Sequence, residues 1–122
     1  MTINFNVNKQ ELSTQFNQKV VADSRNYLIA KFNFTSSEWD RIPLKIALFT
    51  YNGQTYKKIL GSDEDCDMNE CYIPPEVIHS PRFSVSIYGG ERITTNVVKI
   101  NVDPSGYTEN IINEKPTQST LI

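Results

Sequence analysis

RFSVSIYGGERITTNVVKINVD, residues 82–103, is the stretch whose reading decides the fold. Phe83, Val85 and Ile87 alternate with Ser84, Ser86 and Tyr88, so an extended chain here presents three apolar side chains to one side and three more polar ones to the other. Gly89 and Gly90 follow as a turn dipeptide. The return segment then shows Val98, Ile100 and Val102 on a single face. The pattern predicts a β-hairpin with one face in a core and the other in solvent or against a partner.

Outward from this hairpin the same period recurs. Residues 45–51 and 54–60 flank Asn52-Gly53, the dipeptide best suited to a type I′ turn because both residues tolerate positive φ. In residues 26–34, Leu28, Ala30, Phe32 and Phe34 line one face, with Tyr27, Ile29 and Lys31 on the other. Ile3, Phe5 and Val7 alternate with polar residues over 2–7, Val20-Val21-Ala22 is a short apolar run, and Cys71-Tyr72-Ile73 resumes a strand. Two helical turns are expected. One covers 35–40, capped by Ser36 or Ser37 and stopped by Pro43, with Trp39 plugging the end of the core. The other covers 76–79, with Pro75 at its first position. Seven or eight strands with no longer helix predict a two-sheet antiparallel β-sandwich.

Composition is that of one domain: 122 residues, 39% hydrophobic and 21% charged, which is long enough to bury a core. The net charge is −2, and the densest basic feature is the pair Lys57-Lys58. That argues against a nucleic-acid partner. No window approaches the roughly 18 apolar residues of a membrane helix, and the N-terminus lacks a basic segment followed by an apolar run, so neither membrane insertion nor secretion is expected.

The residues that could carry chemistry do not converge. Asp63, Asp65, Asp67 and Asn69 match the first, third, fifth and seventh positions of a calcium loop. Met68 then stands where glycine is needed and Pro74 where a bidentate glutamate is needed, so residues 61–70 read as an exposed acidic turn and no metal is expected. His79 is the one histidine and sits between prolines, which favours a surface or helix-end position. Cys66 and Cys71 are spaced to close a small loop, yet their neighbours in sequence are acidic, which disfavours a thiolate and leaves reduced thiols as the expectation. Serine-hydrolase, phosphate-loop and HExxH motifs are missing, so the reading is of a protein that is not an enzyme and needs no cofactor. Most aromatics fall on alternating strand positions, as core residues do. Tyr51, Tyr56 and Tyr88 are left without an evident partner and are interface candidates.

Trp39-Asp40, residues 45–49, Asn52-Gly53, residues 71–78, residues 83–90, residues 92–96 and Ser105-Gly106-Tyr107 together resemble, in order and spacing, an immunoglobulin-like domain of virion structural proteins in phages of Gram-positive bacteria. The resemblance covers about residues 27–107. It implies an immunoglobulin-like sandwich over 26–107, a strand or arm over 1–25 and a tail over 108–122, in a protein located in the virion. Such domains anchor a longer fibre, tail or baseplate protein through a polar Pro-Thr linker, whose start Lys115-Pro116-Thr117 resembles. Without a fibre, the expected role is a capsid decoration protein bound in many copies to the major capsid protein or another virion protein. The contacts expected are Ile3, Phe5 and Val7 of the N-terminal strand, Ile111, Ile112, Leu121 and Ile122 of the tail, and the three tyrosines. The alternatives are a tail or baseplate adaptor, a fibre anchor, and a carbohydrate-binding attachment module using Trp39 and exposed tyrosines.

Overall fold

The computed structural model describes residues 1–16, 20–22, 28–90 and 93–104. Among these, ten strands and two short 3-10 turns form two mixed sheets. The first sheet has the order β2 (Glu11–Thr14), β1 (Thr2–Asn8), β4 (Ile29–Phe34), β7 (Glu70–Tyr72). The second runs β3 (Val20–Val21), β10 (Val98–Asp103), β8 (Arg82–Gly89), β5 (Lys45–Tyr51), β6 (Gln54–Ile59), with β9 (Ile93–Thr94) also beside β8. The all-β expectation holds. The expectation of purely antiparallel sheets does not, because β1 pairs parallel to β4 and β10 parallel to β3. After β2 the chain crosses to the second sheet for β3 and returns to lay β4 beside β1, so it re-enters the first sheet in the direction of β1.

Both sheets contribute to one core. Ile3, Phe5, Val7, Ala30 and Phe32 from the first, and Ala47, Phe49, Phe83, Val85, Ile87, Ile100 and Val102 from the second, are all buried in the same cluster. The register sets Phe5 opposite Phe32, whose rings stack with centroids 4.9 Å apart. Residues 2–8 are therefore an inner strand of the first sheet. β1 has a neighbour on each side, its three apolar side chains are 0% exposed, and each contributes about 1.5–3 kcal/mol by leaving water. The backbone seals the pair at both ends, with the Ile29 N–H donating to Met1 O and the Thr35 N–H to Val7 O.

Trp39 is the expected plug. It is 0% exposed at the end of the first 3-10 turn (Ser37–Trp39), its ring 5.1 Å from that of Phe34, and its Nε1 donates to Lys9 O at 2.8 Å. The capping expectation is corrected: Ser36 sits at the N-cap but makes no side-chain cap bond, and its Oγ instead accepts the Lys9 N–H at 2.7 Å. The second turn (Pro75–Val77) has Pro75 in its first turn as expected. Gly89 is required by Trp39, since a Cβ there would lie 3.0 Å from the indole and 2.6 Å from Ile42. Gly90 serves differently, holding φ at +56°.

Candidate interaction surface

The outward face of the second sheet follows from its register. Ala47 and Phe49 face the core, so Ile46, Leu48 and Thr50 face out, and the ladders align Ile59, Ile46 and Tyr88 across β6, β5 and β8. Lys57, Leu48 and Ser86 form the next row, and Thr55, Thr50, Ser84 and Lys99 the one after. Ile59 is 44% exposed, and Leu44, just before β5, 45%. Apolar side chains at one end of this face thus grade into hydroxyls and lysines at the other. Of the three tyrosines expected at an interface, only Tyr88 lies on this face. Tyr51 and Tyr56 are half-buried on the core side, where Tyr51 OH donates to Ser80 O at 3.1 Å and its ring lies 5.0 Å from that of His79. Ile46, Leu48 and Ile59 were missed. The signal was the unbroken apolar run Ile46-Ala47-Leu48-Phe49, which period two assigns half to each face.

The sheet edges differ in how they are finished. In the β1–β2 hairpin, Leu12 turns its N–H and C=O away from β1. Asn96 takes both, its Oδ1 accepting from Leu12 N at 2.8 Å and its Nδ2 donating to Leu12 O at 3.2 Å, so one amide side chain imitates a neighbouring strand. At the opposite edge Tyr72 turns its N–H away from β4, and Asp63 Oδ2 accepts it at 2.8 Å, while the Gly61 N–H donates to Glu70 O. Asp63 Oδ1 also pairs with Lys58 Nζ at 2.9 Å, which ties this edge to β6. The edge of β6 is different. Its two-residue turn directs the N–H and C=O of Thr55 and Lys57 outward, and no other described residue bonds them.

The acidic loop thus closes an edge. Burial pulls the Asp63 carboxyl upward, but the Lys58 hydrogen bond, the Tyr72 N–H and the Lys58 charge outweigh it and hold it below its ordinary value. The described residues include no group of three or more potential metal ligands. Cys66 and Cys71 are free thiols. Burial pushes Cys71 up to about 12, and burial with the Asp63 and Glu70 charges raises Cys66, so neither is an activated nucleophile.

A shallow groove beside the Lys9-Gln10 turn is lined by Lys9 and Arg41 against Glu38 and Asp40, a balanced charge set. Trp39 is buried and offers no face on which a sugar could stack. Ile111, Ile112, Leu121 and Ile122 lie outside the described residues. No helix among those described is long and apolar enough to cross a membrane. No family model, curated protein or solved structure matches the chain.

Proposed function

We propose that this chain is a structural protein of a phage virion, a capsid decoration protein with an immunoglobulin-like sandwich, which binds the major capsid protein lattice and catalyses nothing. The observation that carries the binding role is the outward row Ile59, Ile46 and Tyr88 with Leu48 beside it, four large side chains on the solvent face of a sheet whose other face already fills the core. Apolar side chains gathered on the outward face of a sheet are a usual mark of a protein contact. Placement in a virion rests on the resemblance of residues 27–107. Weak contacts at this face gain strength when many copies sit on one symmetric surface.

Cosedimentation with purified heads tests the reading. The parent is expected to travel with heads and to be visible as added density by electron microscopy. Ile46→Glu with Ile59→Glu, outside the core, is expected to keep the fold and abolish cosedimentation. Recovery with tails instead of heads, or undiminished occupancy by the double variant, would overturn the capsid reading.

A further inference from the structure

We infer that the open edge of β6 receives residues 107–114 of a second copy of this chain as an added strand. The site stands on the contrast between edges. Side chains take both outward backbone groups of Leu12 in β2 and the outward N–H of Tyr72 in β7, and β3 is two residues long. β6, by contrast, leaves Thr55 and Lys57 with donors and acceptors facing away from β5. Two successive outward-facing residues on an edge strand of six residues are what strand addition needs.

Charge, an unbroken run of residues and reach select the occupant. Residues 54–59, QTYKKI, hold two lysines and no acid, and residues 107–114, YTENIINE, hold two glutamates and no lysine or arginine. Lys58 is committed to Asp63, which leaves Lys57 as the cation facing an incoming glutamate. Residues 107–114 are an uninterrupted run without glycine or proline, stopped by Pro116. Reach selects the second copy. From β10 to a position beyond β6 is four strand spacings, about 19 Å at about 4.8 Å each, and crossing it at about 3.3 Å per residue consumes about six residues. In the same molecule that crossing would use residues 105–110, leaving little of the run to pair. From a second copy the whole run is available. Reciprocal exchange of this segment between two copies closes a dimer, and one-way donation propagates into rings or filaments. It does not depend on the virion reading, since it is a property of the purified chain.

Sedimentation equilibrium of the full chain over a wide concentration range is the test, combined with amide exchange at Thr55 and Lys57. Mass is expected to rise with concentration and protection of these two amides to rise with it. Lys57→Pro removes an outward N–H and spares the β5 ladder, and is expected to weaken association roughly tenfold with the outward bonds lost. Ile111→Asp with Ile112→Asp is expected to do the same with an unaltered melting temperature in dilute solution. A monomer at every concentration would overturn the inference, as would association indifferent to the Ile111 and Ile112 changes. Protection of Lys57 that is independent of concentration would also overturn it, by assigning the edge to the molecule's own tail.

Discussion

The β5–β6 and β8–β10 pairs are antiparallel neighbours in one sheet, and both read as hairpins, yet they close by different means. Asn52 and Gly53 take φ of 53° and 79°, and the ladder runs from Tyr51↔Gln54 to Ile46↔Ile59 without a break. Everything that pair needs lies within fifteen residues. In the other, Tyr88 faces Thr94 while Val85 faces Val98, so the return path is one residue longer than β8. That is a bulge. Thr95 repairs it, its N–H donating to Ile87 O and its Oγ1 accepting from Ile87 N, both at 3.0 Å. Asn96, turned out of the ladder, reaches 84 residues back to close β2. A tight turn secures one pair locally. A bulge sacrifices local regularity to join the two sheets.

Breaking the non-local device has the largest effect. Asn96→Ala leaves both outward groups of Leu12 without their partner and is expected to cost about 3 kcal/mol, one to three for each group discounted for partial exposure, measured by urea unfolding. Gly89→Ala drives a methyl into Ile42 and Trp39, and a loss of roughly 2 kcal/mol is expected by the same measurement. Asp63→Ala unpairs Tyr72 N–H and Lys58 for about 1–2 kcal/mol at neutral pH. The folded state holds the Asp63 carboxyl low, so its contribution is complete above the unfolded value of roughly 4 and lost as pH falls through the folded one. The gap between parent and variant in urea unfolding is therefore expected at pH 7 and to shrink in strong acid. Gly53→Ala strains only the local turn, and about 1 kcal/mol is expected, with the β8–β10 contacts unchanged in nuclear magnetic resonance spectra. An Asn96→Ala loss no larger than that of Gly53→Ala would end the comparison.

The legible parts were those where pattern and turn chemistry agree over a short span. The strands at Ile29–Phe34, Lys45–Tyr51, Gln54–Ile59 and Arg82–Gly89 and the Pro75 turn were readable for that reason. β2 was not, because Glu11-Leu12-Ser13-Thr14 has one apolar residue and its place comes from β1 and Asn96. Alternation alone leaves Ile3, Phe5 and Val7 as candidate contacts for a partner, since it shows that one face is apolar without naming what covers it. Their own first sheet and the opposing one cover them. The outward row was hidden for the converse reason: a run apolar at every position conceals which half is solvent-facing.

Periodicity and turn residues, by themselves, determined that this chain forms short strands, where several of them begin and end, and that Asn52-Gly53 reverses it. These depend on side-chain alternation and φ preferences within a few residues. Only the tertiary structure decided that β1 lies parallel to β4, that Asp63 and Asn96 finish two sheet edges, and that Ile46, Leu48, Ile59 and Tyr88 share an open face. Each of those facts joins residues distant in sequence, and which surfaces meet is set by the burial of the whole core.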